Sequence, residues 1–167
     1  MEEFTVKKER PTFLTVLCIL TFIGSGWGIV DGITDYLSAE EAEAASALVE
    51  DSMEDAMDDI EDSEMSESQK DVMEGLMDGV SSSLTEENIK NSSLVSILSS
   101  LLTLAGAFLM WNLNKKGFYL YILGTVIAIV GLIMIFGGLI GAAAAGATGF
   151  IGVLFIVLYG VNTKHMT

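Results

Sequence analysis

The stretch FYLYILGTVIAIVGLIMIFGGLIGAAAAGATGFIGVLFIVLYGV, residues 118–161, contains 44 residues and no charge. A straight helix of this length would measure about 66 Å, whereas the hydrocarbon core of a bilayer is only about 30 Å thick. The stretch must therefore fold back once. Its glycine-rich tract, 137–149, favours a reversal there, and we predict membrane spans at 118–139 and 145–162 joined by a short outer turn at 140–144.

Two apolar runs precede this stretch and complete a predicted bundle. They give spans at 12–36 and 92–113, each long enough to cross a bilayer. The residues between them, 37–91, are acidic. The predicted fold is therefore all-α, a four-helix transmembrane bundle with an extracytoplasmic acidic helical hairpin inserted between the first and second spans. Polar segments complete the chain: an N-terminus at 1–11, a basic turn at 114–117 and a tail at 163–167.

The first apolar run has three interpretations: a cleaved signal peptide, a lipoprotein signal or a retained membrane helix. A cleavable signal has a short apolar core followed by small residues, but Trp27, Ile29 and Val30 prolong the run here. A lipoprotein signal needs small residues before its cysteine, and the bulky Leu17 precedes Cys18. We therefore expect a retained helix.

The basic residues outside the acidic segment predict the orientation. In a four-span topology they all lie on one side of the membrane, and the positive-inside rule makes that side cytoplasmic. We therefore expect a multi-pass protein of the cell inner (cytoplasmic) membrane with both termini in the cytoplasm. The topology-setting residues are Lys7, Lys8, Arg10, Lys115, Lys116 and Lys164.

The net charge of −15 comes from one segment. Residues 38–90 contain 18 of the 23 acidic residues and only two lysines, Lys70 and Lys90, so they carry −16 and the rest of the chain +1. The basic footprint of a nucleic-acid-binding protein is absent. We expect the carboxylates to form a solvated face that attracts basic partners or diffuse cations.

Two capping boxes predict helices in the acidic segment. Ser38 with Glu41, and Ser66 with Gln69, fit the Ser-x-x-Glu/Gln pattern, and apolar residues recur at helical spacing after each box. The competing interpretation is partial disorder, which the high charge favours. The predicted helices are 39–62 and 67–83, with a third start at Thr85.

Evenly spaced glycines predict how the membrane helices pack, because such helices associate through close backbone approach at small residues. One set is spaced by four residues in the first span and another by seven in the third. We expect both sets to close the bundle, the alternative being that the first set forms the seam of a homo-oligomer. The residues are Gly24, Gly28 and Gly32, and Gly117, Gly124, Gly131 and Gly138.

No residue pattern indicates catalysis or a cofactor. The single histidine, His165, follows the last span, and no other span has an acid to pair with Asp31 and Asp35. We expect these two aspartates to form an interfacial cap, the alternative being the cation-attracting mouth of an oligomeric pore. Paired methionines could ligate Cu(I), but an apolar seam explains them as well, and we predict no metal site. These methionines are Met53, Met57, Met73 and Met77.

Two stretches, PTFLTVLCILTFIGSG (11–26) and MWNLNKKGFYLYILG (110–124), resemble those of a family of small, uncharacterised multi-pass bacterial inner-membrane proteins. The similarity covers the membrane helices and not the acidic segment. It implies a membrane location and no assigned activity. The topology is also similar to that of claudins, but the acidic loop lacks their paired cysteines.

The sequence thus favours a non-enzymatic integral membrane protein that presents an acidic helical module for the interaction or assembly of an envelope complex. One alternative is a small transport or channel component, which a continuous polar path between the helices would favour. The other is a methionine-rich extracytoplasmic metal-binding protein. The expected partners are the lipid bilayer and, through the acidic segment, a second copy of the chain or a basic protein; nucleic acid is not expected.

Overall fold

The computed structural model describes residues 10–61 and 66–166, with side chains throughout except at 47–51, 53–61 and 81–82. Within these residues the protein consists of helices and has no strand. Four helices are long and apolar enough to cross a membrane, the arrangement of a multi-pass membrane protein. The helices are α1 (Thr12–Glu61), α2 (Glu67–Ser83), α3 (Glu86–Trp111), α4 (Lys116–Phe136) and α5 (Gly138–Asn162), followed by a 3₁₀ turn at Thr163–His165.

The first helix differs from the prediction because it does not end at the membrane boundary. α1 continues for 50 residues, about 75 Å. Ser38, predicted to cap a new helix, lies inside α1, where its hydroxyl donates to the Thr34 carbonyl at 2.9 Å. The reason is local: no glycine or proline follows Gly32 in α1, and the alanine, leucine and glutamate residues there are strong helix formers.

The two later helices of the acidic segment begin at the predicted positions. The backbone N–H of Ser66 donates to Gln69 Oε1 at 3.1 Å, as in half of a capping box, and α2 follows. Thr85 accepts a hydrogen bond from the Asn88 N–H at 3.3 Å and caps α3. α3 therefore starts before the predicted span 92–113 and continues into it without a break.

The reversal between α4 and α5 lies at Gly137, at the start of the predicted tract 137–149 and before the predicted turn at 140–144, whose position the sequence defined only to within about four residues. Gly137 and Gly138 have φ values of 58° and 44°, a region that glycine adopts without the steric cost of a Cβ. Residues 140–144 are helical instead. The alanines at 142–145 are the strongest helix formers of the tract, so the chain reverses at the paired glycines that precede them.

The membrane helices pack in the order α1, α3, α4, α5. α1 and α4 cover opposite sides of α3, α5 packs on α4, and α1 meets α5 around Thr21 and Tyr159. The bundle therefore has two ends. We call the end with the α3–α4 turn (112–115) the basic end, and the end with Gly137 the glycine-turn end.

Direct backbone contact holds α3 against α4. A Cβ placed on Gly106 would lie 2.8 Å from the Gly117 carbonyl oxygen, and one placed on Gly124 would lie 2.9 Å from the Ser99 carbonyl oxygen. Real Cβ atoms do not approach this closely, so the helix pair requires glycine at these positions. Without a hydrophobic driving force inside lipid, this close packing is what stabilises the pair.

The buried core of the bundle lies at the basic end. There the Arg10 guanidinium stacks over the Trp111 ring at 3.9 Å, a cation–π contact. At the other end α2 packs its Gly79 against Ile140 of α5, so the acidic segment contacts the bundle. The core cluster consists of Leu14, Leu17, Cys18, Met110, Tyr121, Tyr159 and Met166.

Candidate functional site

A crevice lined by hydroxyl groups runs between the four membrane helices. Its deeper part is a cavity of about 280 Å³ with residues from all four helices, and its mouth is a cavity of about 350 Å³ that reaches Asp35. The two cavities share Ser99, Ser100, Ala128 and Thr148, and together they form what we call the hydroxyl crevice. Its hydroxyl-bearing residues are Thr21, Ser25, Ser92, Ser93, Ser96, Ser99, Ser100, Thr103, Tyr121, Thr125 and Thr148.

α3 supplies most of these hydroxyls because they recur at helical spacing. Ser92, Ser96, Ser99 and Thr103 follow one another at intervals of three or four residues, which places them on one face of the helix. This signal was present in the sequence. It also fits simple close packing of small residues, so the spacing alone did not predict a crevice.

Two features leave room for the crevice. Gly24 lines its deeper part, and a Cβ placed there would have no atom within 4 Å. α1 and α5 also contact each other far less than the neighbouring helix pairs do. The space between them is therefore closed on one side by α3 and α4 and remains open on the other.

Most hydroxyl groups of the crevice already donate their proton in a hydrogen bond. Ser99, Thr103 and Thr125 each donate to a main-chain carbonyl about one turn earlier in their own helices, at 3.0 Å. The Ser25 and Thr103 hydroxyl oxygens lie 2.9 Å apart, within hydrogen-bond distance of each other. A hydroxyl has one proton and two lone pairs, so these groups present mainly acceptor oxygens to the cavity.

The two ends of the crevice differ in polarity. Near the basic end the Thr21 and Tyr159 hydroxyls lie 2.7 Å apart, and beyond them the apolar core cluster closes the bundle. At the mouth, Asp35 is the one charged residue lining either cavity, as far as the described residues show. The crevice is therefore a polar recess with one acidic entrance, and not a path across the bundle.

Asp35 has no ion-pair partner among the residues whose side chains are described. Lys90 instead pairs with Glu86, one turn before it on α3, and lies 5.9 Å from the Tyr36 ring. The carboxylate at the mouth is thus not neutralised by the base on the neighbouring helix.

The structure places most of the predicted packing glycines between helices. Gly28 meets Ser100, and Gly32 meets Ile97, whose Cγ1 would lie 2.8 Å from an added Cβ; this face of α1 is therefore used inside the chain. In α4, Gly117, Gly124 and Gly131 all face α3. Two predicted residues differ: Gly24 lines the crevice, and Gly138 belongs to the reversal with open space around it.

The predicted topology-setting bases that the structure describes lie at the basic end. Arg10 stacks on Trp111, Lys115 and Lys116 belong to the α3–α4 turn and the start of α4, and Lys164 lies in the 3₁₀ turn after α5. Lys7 and Lys8 lie outside the described residues.

The structure describes the side chains of two of the four paired methionines. The side chains of Met53 and Met57 lie outside the described set, whereas Met73 is exposed and Met77 is half-buried on α2. Among the residues whose side chains the structure describes, no group of three or more His, Cys, Asp or Glu could hold a metal ion.

The remaining reactive side chains stand apart from the crevice. The Cys18 thiol is buried and donates to the Ala107 carbonyl at 3.6 Å, and His165 lies in the 3₁₀ turn. The crevice can thus bind a small polar species through its oxygens. No protein-family model, curated protein or solved structure matches the chain.

Proposed function

We propose that the protein is a non-enzymatic multi-pass protein of the bacterial inner membrane that presents an acidic helical module, on the side away from the cytoplasm, for interaction with a basic partner or for assembly of an envelope complex. Membership of the small multi-pass bacterial family that it resembles is part of this proposal. The observation that carries it is the continuity of α1 from Thr12 to Glu61. A helix without a break is a stiff support, so it holds the acids at a fixed distance from the membrane.

The length and charge of the acidic segment support display. The part of α1 beyond the predicted span, 37–61, would extend about 37 Å at 1.5 Å per residue. It belongs to the segment that carries −16. Anionic lipid headgroups repel such a segment, which favours contact with a basic protein surface rather than with the bilayer.

α2 provides a continuous acidic face for such contact. Glu67, Asp71, Glu74 and Asp78 recur at intervals of three or four residues and are all exposed, so their carboxylates lie along one side of the helix. The packing of Gly79 on Ile140 anchors α2 to the bundle. A partner bound to this face would therefore be held close to the membrane.

A topology measurement tests the orientation. A periplasmically active reporter inserted after Asp59 in the full-length protein should be active, and the same reporter after Lys116 should be inactive. Activity in the reverse pattern would contradict the proposal.

Site-specific crosslinking tests the partner. A photoreactive residue at the exposed Gly75 should give a defined adduct in native membranes. The adduct should be lost in a variant with the four α2 carboxylates changed to amides: Glu67→Gln, Asp71→Asn, Glu74→Gln and Asp78→Asn. The matched control exchanges Asp and Glu at the same positions, keeps the charge and should retain the adduct. An adduct that survives neutralisation would refute recognition through charge.

The hydroxyl crevice supports a second candidate, a small transport or channel component. Its polar lining comes from all four helices, as a solute route would require. The core cluster closes its inner end, so passage would need Leu14, Tyr121 and Tyr159 to move apart.

An uptake assay tests this candidate. Proteoliposomes that contain the protein should take up rubidium or glycerol, and Gly24→Phe, which fills the crevice, should stop the uptake. Gly146→Phe, at an exposed glycine with open space around it, is the control; equal uptake by both variants and by empty vesicles would exclude transport of these solutes.

A further inference from the structure

We propose that the mouth of the hydroxyl crevice is a binding site for a small monovalent cation, held between the Asp35 carboxylate and the serine oxygens of α3. The inference goes beyond the display of an acidic module. It concerns binding alone, so it holds whether or not the crevice conducts.

The hydrogen-bond polarity of the mouth selects for a cation. Ser93 donates to the Ile89 carbonyl at 2.7 Å and Ser99 to the Ser96 carbonyl at 3.0 Å. Ser92 likewise donates to Ile89, at 3.0 Å. The remaining hydrogen-bonding positions on these three oxygens are lone pairs, so this part of the mouth offers acceptors. A metal cation or ammonium matches an acceptor-rich wall, whereas an anion or a hydrogen-bond acceptor does not.

The charge of the mouth selects for a single positive charge. Asp35 is the one charged residue that lines the crevice in the described part of the chain, and it has no ion-pair partner there. A monovalent cation would balance this carboxylate one to one. Asp35 is solvent-exposed, and a divalent ion there would leave one positive charge that no residue lining the mouth balances.

The oxygen atoms that could ligate an ion at the mouth favour a hard cation. The wall of the mouth presents one carboxylate and six hydroxyls, and it has no sulfur or imidazole ligand among its lining residues. Oxygen ligands of this kind suit hard cations, and soft metals prefer thiolate or thioether. The acidic segment also favours cations at the mouth, because a strongly negative surface raises the local concentration of cations.

The test measures binding to the full-length protein in lipid nanodiscs. Thermal unfolding is followed in NaCl, KCl or NH₄Cl against N-methylglucamine chloride at equal ionic strength, because a ligand that binds only the folded state raises its stability with concentration. At least one small cation should raise the melting temperature in a saturable manner, and the three salts distinguish sodium, potassium and ammonium. An equal response in N-methylglucamine, or tighter binding of Ca²⁺ or Mg²⁺, would overturn the assignment.

Matched variants locate the site. Asp35→Asn should weaken the apparent affinity about tenfold or more, since it removes the balancing charge. Asp31→Asn should change the affinity by about twofold or less: both aspartates are exposed, but Asp31 does not line the crevice, and solvent screens its charge. Equal weakening by both variants would indicate diffuse attraction and overturn the site. The double variant Ser96→Ala with Ser100→Ala retains both aspartates and should also weaken the affinity for the cation. If Asp35→Asn does not fold, this double variant tests the site, and an unchanged affinity would overturn it.

Discussion

The hydroxyls of Thr21 and Tyr159 lie 2.7 Å apart although the two residues are separated by 138 positions in the chain. This hydrogen bond joins the first and last membrane helices, which otherwise contact each other little. It also separates the hydroxyl crevice from the core cluster at the basic end, where Tyr159 is fully buried. The pair therefore both closes the bundle and ends the polar recess.

We expect this pair to be a measurable but modest source of stability. Thr21→Val and Tyr159→Phe each remove one partner, and hydrogen bonds between membrane helices contribute about 0.6 kcal/mol on average and at most about 1.7 kcal/mol. A double-mutant cycle on the free energy of unfolding in detergent micelles should give a coupling in this range. A coupling near zero would show that the two hydroxyls do not bond.

Substitution of Gly117 should destabilise the bundle strongly. A Cβ at this position would lie 2.7 Å from the Met110 amide nitrogen, and overpacking of this kind costs about 1–3 kcal/mol or more where backbone has to move. Gly117→Ala should therefore lower the free energy of unfolding by at least this amount.

Gly146→Ala is the control for this substitution, because it introduces the same methyl group at an exposed helical position with open space around it. Its unfolding free energy should stay within a few tenths of a kcal/mol of the wild type or rise, since alanine is the better helix former. Equal effects of the two substitutions would contradict the close approach of α3 and α4.

Replacement of Gly137 should cost stability for a conformational reason rather than a steric contact. No atom lies within 4 Å of an added Cβ, but the residue has φ 58° and ψ −167°, a region that is essentially restricted to glycine. Gly137→Ala should lower the unfolding free energy by about 1–3 kcal/mol. Gly26→Ala, at a helical glycine with equally open surroundings, should have little effect, and a similar loss at both sites would argue against the reversal at Gly137.

Cys18 should report on opening of the bundle. Its side chain is fully buried, and it is the only cysteine of the chain. A thiol-reactive dye should therefore label the native protein slowly and label it rapidly once the protein unfolds. Tyr159→Phe should lower the temperature at which labelling begins. Rapid labelling of the native wild type would contradict the packing at the basic end.

The membrane-spanning helices could be predicted because their signals are local. A straight helix of the 44 uncharged residues from 118 to 161 would be longer than a bilayer is thick. This length alone requires the chain to reverse. Likewise, the caps at Ser66 and Thr85 place the starts of α2 and α3, because a capping side chain bonds to an amide only three residues away.

Two helix boundaries, at Ser38 and in the glycine-rich tract, differ from the prediction because neighbouring residues favour different structures. Ser38 can cap a helix, but the residues before it are already helical, so its hydroxyl donates back to Thr34 and α1 continues. In the glycine-rich tract several positions could reverse, and the alanines at 142–145 favoured helix, which left the turn to Gly137.

The sequence by itself determined the number of apolar helices, their approximate limits and the separation of acidic from basic residues, because length, hydropathy and charge act within each segment. Only the tertiary structure decided that α1 packs on α3 while α5 packs on α4, and that hydroxyls from all four helices share one recess below Asp35. That arrangement depends on which side chains meet across the bundle. Serine at helical spacing fits both a packed seam and a polar cavity, and the distance between the helices distinguishes the two.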